Sequence, residues 1–385
     1  MTSGDQAGGC GIGRRDFLKA TIGAGLAASM AARAAGAGGA AQQLEHKNEK
    51  PEIAYRRLGR TNLAVSALTF GCIKLVSDNL SILDTAVGRG VNMLHVCASY
   101  MQGKSITTLG EWMKKPGNRD RVWLALKPRV DTPQTQPPKK VINFDDDLKT
   151  LNTDHCDLLM MPIHQAEGVA NDDLYKQLED LKKAGKARII GLTFHENLKA
   201  VFEAGIKANR FDVFLPTYSS ATRADLKDLL PEAKKKDIGL ITMKSTKGLD
   251  RGADPVPVWR TFMADGIDTV LKTLTTQNEM EQAMRLATEK AALPAQVARV
   301  NCSGQCTLCG ACRGCPKGIA IQDTLRTYQY YVQERGWMDV ARSQYAEIGA
   351  ALRSPECGDC GRCELACPQN LAVRQLLREA HAAMA

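Results

Sequence analysis

Aromatic residues are scarce in this chain of 385 residues, at 5% of the total. No basic stripe interleaved with aromatics runs along it, so the formal net charge of +9 does not point to nucleic acid. Long apolar runs are missing as well. The apolar stretch at residues 20–32 is short and rich in Ala and Gly, which excludes a permanent membrane span there. Histidine is rare, six residues in all, and no two stand at the close spacing of a local metal-binding pair. The length suffices for a barrel-sized core and a small appendage, so two domains are expected.

Cysteine, by contrast, is abundant, with thirteen residues. Eight fall in two runs: Cys306, Cys309, Cys312 and Cys315 as C-x2-C-x2-C-x2-C-P, and Cys357, Cys360, Cys363 and Cys367 as C-x2-C-x2-C-x3-C-P. A disulfide framework or a zinc site needs neither triplet spacing nor a following proline, whereas three thiolates at x2 intervals wrap three corners of an iron–sulfur cube. Two 4Fe-4S clusters are therefore expected. In two-cluster ferredoxins the fourth cysteine of each run serves the other cluster, which assigns Cys306, Cys309, Cys312 and Cys367 to one and Cys315, Cys357, Cys360 and Cys363 to the second. Cys302 is a spare ligand or a free thiol.

Residues 13–19 read Gly-Arg-Arg-Asp-Phe-Leu-Lys, followed by the weakly apolar run and a small-residue site at residues 32–34. This pattern resembles a twin-arginine export signal and implies the twin-arginine translocation machinery as a partner. Export of an already folded protein suits cysteine-bound clusters, which must be built in a reducing compartment. The expected location is the periplasm, with residues 1–34 the signal and 35–50 a linker. Without residues 1–34 the charge falls only to +7, and two clusters at about −2 each lower it further.

From residue 51 to 295, short apolar runs alternate with amphipathic ones. Strands are expected at 65–70, 93–96, 122–126, 156–161, 189–193, 213–215, 238–243 and 269–271. Helices are expected near 81–87, 105–113, 143–151, 172–184, 198–208, 223–236, 257–264 and 278–289. Eight such pairs predict an α/β fold, a (β/α)8 TIM barrel, with a mainly helical, ferredoxin-like dicluster domain at 296–385. The proline-rich connection 128–138 reads as a stiff surface loop or a lid. Residues 322–348 read as helices packed around the clusters, or as a dock for an electron partner.

Tyr55-Arg-Arg-Leu-Gly-Arg-Thr-Asn-Leu-Ala-Val-Ser, Gly90-Val-Asn-Met-Leu-His and Gly185-Lys-Ala-Arg-Ile-Ile-Gly resemble segments of aldo/keto reductases, and the run from Cys306 is similar to the tail of that family's iron–sulfur branch. The resemblance implies carbonyl reduction, with Tyr100 in the place of the acid tyrosine and Lys127 in that of its lysine partner. The family's aspartate falls on His95 and its histidine on Pro162, with His164 two positions later. Where the family grips NADPH, this chain shows Phe194, Leu215 and Met243, with Lys272 near the 2′-phosphate position. Apolar side chains leave a buried amide unpaired at a cost of about 1–3 kcal/mol per group, so NADPH is not the expected donor.

His95, His164, His195, Cys72 and Cys97 are expected at one barrel mouth, with Lys127, Lys244 and Lys272 at strand ends. Either they bind a metal, a thiol-reactive molecule or an anion, or they are hydrogen-bonded rim residues and packed thiols. The leading expectation is an exported oxidoreductase whose clusters exchange electrons with a small carbonyl-like or anionic substrate and with a redox partner protein. A non-catalytic electron-transfer or assembly subunit and an NADPH-dependent carbonyl reductase are the alternatives.

Overall fold

The computed structural model describes residues 43–132, 136–250, 252–288 and 304–385. The expected signal at 1–34, the first half of the linker and Cys302 lie outside the described residues. Eight parallel strands close a barrel in sequential order: β1 Leu68–Gly71, β2 Met93–Cys97, β3 Trp123–Lys127, β4 Cys156–Pro162, β5 Ala187–Phe194, β6 Val213–Pro216, β7 Gly239–Thr242 and β8 Thr269–Lys272. Closure is made by β8 on β1, with Val270 opposite Leu68. Helices α1 Leu80–Gly88, α2 Lys104–Met113, α3 Phe144–Thr150, α4 Asp172–Lys183, α5 Leu198–Ala208, α6 Leu230–Lys235, α7 Val256–Asp265 and α8 Gln277–Thr288 surround it.

The strands read as near-continuous apolar runs because both faces are covered. Met93, Trp123, Leu158, Met160, Ile189 and Ile241 fill the interior, while Leu94, Leu124, Leu159, Ile190 and Leu240 face the helices. Two expectations shift in detail. The run at 65–70 divides at Ala67: Ala64–Ser66 pairs antiparallel with Tyr55–Arg57 beneath the barrel, and only the remainder enters it. The helix expected at 223–236 is broken before α6, because Pro231 lacks the N–H that a continuous helix needs.

The tail is mainly helical: α9 Ile321–Arg326 runs into a wide π-helical segment, Thr327–Glu334, followed by α10 Met338–Ala346 and α11 Val373–Met384. Residues 322–348 are helical as expected, yet they cover the carboxyl ends of the barrel strands instead of packing only around the cysteine loops. Tyr330, Tyr331, Trp337 and Val340 form one apolar cluster with Ile73 of the barrel, against which Tyr100 packs. Lys74–Asp339 at 2.9 Å and Arg335–Glu279 at 2.6 Å tie the same surfaces together.

Candidate functional site

The eight motif cysteines separate into two cavities. One is lined by Cys306, Cys309, Cys312 and Cys367, the other by Cys315, Cys357, Cys360 and Cys363. Each cavity thus draws three sulfurs from one run and the last from the other. Burial, reinforced by neighbouring thiols, pushes Cys306 up to about 11 and Cys312 up to about 12. Several thiolates crowded in one apolar cavity are stable only with positive charge among them, so the donor set fits iron. The fully buried Lys247 stands nearby, donating to Gln305 Oε1 at 2.6 Å, and Gln329 Oε1 accepts the Cys306 N–H at 2.9 Å.

The first cysteine loop rests directly on the barrel. Leu308 O accepts the N–H of Leu198, the first residue of α5. Gln322, which lines the cavity of Cys306, accepts the Asn197 N–H at 3.3 Å and donates to Asn197 Oδ1 at 3.2 Å. Asn197 in turn donates to the His164 carbonyl at 2.6 Å. One asparagine therefore joins the cysteine loop to the histidine-bearing loops of the barrel.

Behind Asn197 lies a buried polar chamber roofed by α9. His95 sits on β2, His164 two residues past β4, and His195 and Glu196 directly after β5, while Asp323 and Arg326 come from the tail. The His164 and His195 rings stack with centroids 4.1 Å apart, and Arg326 Nη2 donates to Asp323 Oδ1 at 2.6 Å. Burial, aided by Lys127, lowers His95 and His164 to about 3, so both imidazoles are neutral. Burial and the adjacent Asp323 push the Glu196 carboxyl well up. Burial opposes the charge on Asp323 too, but Arg326 and a hydrogen bond from Glu196 together outweigh it and hold that carboxyl down.

Tyr100 lines a cavity of about 50 Å³ with Cys72, His95, Lys244, Tyr330 and Tyr331, and its ring centroid is 6.2 Å from that of His95. Burial drives the phenol well above 10, so it keeps its proton. Lys127 ends β3 opposite Cys97 in register. Burial also raises the Cys72 and Cys97 thiols, which leaves both protonated. Lys244 and Lys272 are covered by the tail. Burial opposes their charge, bringing Lys272 down to about 7, and the open positive mouth expected from the strand ends is not what forms.

The apolar positions expected at a nicotinamide divide. Leu215 and Met243 face the barrel interior. Phe194 points the other way, edge-on to Phe202 at 5.8 Å and Phe214 at 6.4 Å. Met243 and Leu271 share the 50 Å³ cavity with Tyr330, Tyr331 and Trp337, so the tail occupies the space above the strand ends. A separate cavity of about 330 Å³ beside Lys272 includes Asp250, Glu279 and Glu334 in its lining.

Sequence reasoning missed Glu196, Asp323 and Arg326. Glu196 carried a signal, since it adjoins His195 at a strand end. Asp323 and Arg326 carried none, because a buried ion pair three residues apart on a helix looks like an exposed one until the opposing surface is known.

Residues 76–298 match the aldo/keto reductase family model, and residues 305–372 match that of a 4Fe-4S dicluster domain. The protein is 28% identical over 177 residues to Protein tas of Escherichia coli, covering 36% of this chain and 51% of that protein. Norsolorinic acid reductase A of Aspergillus parasiticus is 27% identical over 181 residues, covering 43% and 46%. The chain thus spans about half the length of the curated relatives it matches. A solved structure described as an aldo-keto reductase, from Pseudomonas aeruginosa, superposes with a TM-score of 0.50 at 23% identity, covering 60% of this chain and 93% of that one, and supports the fold alone. With a family match that takes in more than half of its residues, the chain belongs to the aldo/keto reductase family.

Proposed function

We propose that this protein is an exported oxidoreductase in which single electrons supplied by two 4Fe-4S clusters replace the hydride of NADPH. The observation that carries the reading is the pair of surfaces meeting at the barrel mouth. The Cys306 loop docks through Gln322 and Asn197 onto the histidine chamber, while Tyr330, Tyr331 and Trp337 stand over Met243 and Leu271. The 330 Å³ cavity beside Lys272 carries both signs of charge, Asp250, Glu279 and Glu334 against Lys272 and Arg335, and so offers no strong positive field for the phosphate of a nicotinamide cofactor.

Reduction of a carbonyl to an alcohol consumes two electrons and two protons, and two one-electron clusters match that demand. Tyr100 keeps a proton on its phenol oxygen and donates it to the substrate oxygen, while the second proton, taken up at carbon, comes from water. His95, neutral and buried with Nε2 unpartnered, orients the substrate, together with His164. Lys127 supplies positive charge beside the developing alkoxide. The ultimate reductant is a redox partner protein, docking where Cys360 is exposed and Leu365 is 90% exposed. Arg14 and Arg15 support twin-arginine export to the periplasm, where nicotinamide pools are absent.

The test uses anaerobically purified full-length protein with its clusters chemically reduced. Small carbonyl compounds should reoxidise the clusters, and NADPH should not bind in a fluorescence titration at micromolar concentration. Micromolar NADPH binding would restore the ordinary reductase, and clusters inert to every carbonyl would favour a subunit that only carries electrons.

A further inference from the structure

The chamber holds a second kind of site, which shares His164 with the reaction proposed for the mouth. We infer that His195, Glu196 and Asp323 bind one first-row divalent cation, of the Zn²⁺, Mn²⁺ or Fe²⁺ class, at the seam between barrel and tail.

The geometry begins with three ligand atoms lying within 4.8 Å of one another, all on buried residues. His195 Nδ1 is 4.0 Å from both Glu196 Oε1 and Asp323 Oδ1. That is too long for a hydrogen bond. Ligands of a tetrahedral ion bound at about 2.0–2.2 Å stand about 3.4 Å apart, so a small inward turn of the side chains brings these donors onto one ion. Each residue is at most 5% exposed, and neither His195 Nδ1 nor Glu196 Oε1 has a hydrogen-bond partner among the described residues.

Two buried carboxyl groups side by side need a cation between them, and a proton is the competing candidate. A proton shared by Glu196 and Asp323 would satisfy those two groups but leave the His195 nitrogen unpaired. A divalent ion satisfies all three. Arg326 occupies one lone-pair site of Asp323 Oδ1, and a carboxylate offers about four, so the ion pair leaves coordinating capacity free. One imidazole nitrogen with two carboxylate oxygens is a donor set of the borderline-hard kind that these metals share.

His164 does not complete the ligand set. Its Nδ1 accepts the His195 N–H at 3.4 Å, which places its proton on Nε2, a buried donor with no acceptor among the described residues. That donor suits an oxygen carried on an open coordination position, as a positioning group beside the metal.

The experiment uses the cluster-loaded full-length protein, freed of loose metal by brief chelation and then titrated with Zn²⁺. One Zn²⁺ should remain bound per chain after desalting, with only nitrogen and oxygen scatterers in its X-ray absorption spectrum. His195→Gln and Glu196→Gln should each weaken binding by about tenfold or more, with the visible iron–sulfur absorbance unchanged. Three results would overturn the site: no retained Zn²⁺, which leaves a proton between the carboxyls; sulfur scatterers at about 2.3 Å, which places the ion on cysteines; or binding by both variants as tight as that of the parent. The absorption spectrum of the parent protein decides the matter even if a variant fails to fold.

Discussion

Gly310 lies so close to Asn197 that a Cβ on the glycine would stand 2.2 Å from Asn197 Oδ1. The glycine also has φ +90°, a conformation side chains rarely adopt. Both facts follow from one constraint: the first cysteine loop must sit flush on the loop that carries His195 and Glu196.

Gly310→Ala should therefore cost about 2 kcal/mol or more, from left-handed strain and overpacking together. The expected outcome is a melting point several degrees lower and easier loss of iron, measured by thermal denaturation followed in the visible band. An unchanged melting point would mean that the loop does not dock as described.

Crossed cysteine provision makes a second prediction. Cys367→Ser should impair the same cluster as Cys306→Ser, and Cys315→Ser the same as Cys357→Ser, because each pair lines one cavity. Electron paramagnetic resonance of the reduced variants reads this directly. If Cys367→Ser instead altered the cluster of Cys357, each run would serve its own cube.

Substrate protonation rests on Tyr100. Reoxidation of the clusters by a productive carbonyl should slow by about 10²–10⁴-fold in a Tyr100→Phe, His95→Ala double variant, the usual weight of general acid catalysis. Stopped-flow bleaching without substrate should remain normal. A double variant oxidised as fast as its parent would move the reacting centre elsewhere.

His95 also predicts a pH dependence of stability. Burial holds its folded value at about 3, while an unfolded histidine titrates near ~6.5. Between those values the unfolded chain binds the proton preferentially, so the stability contributed by neutral His95 is present above about 6.5 and lost as pH falls towards 3. The melting-point deficit of His95→Asn relative to the parent should thus shrink between about pH 7 and pH 5. A deficit that stays constant would place a freely titrating imidazole at this position.

The sequence by itself determined the strands and helices of the barrel, because apolar runs and amphipathic periods are local properties that each element satisfies with its own residues. It likewise determined the ligand chemistry of the tail, since three thiols at x2 spacing reach a common centre whatever surrounds them. It located His95, His164 and His195 near the strand ends, because parallel strands deliver their last inward residues to one face. What only the tertiary structure decided was how the two units meet. Phe194 turned out to face the helices, where a strand-end position had suggested the mouth, since inward or outward orientation depends on a register that one residue reverses. Asp323, Arg326, Tyr331 and Trp337 entered the site from the far side of the chain. Burial and unlike neighbours give these side chains their chemistry, and both belong to the packed interface and not to any stretch of sequence.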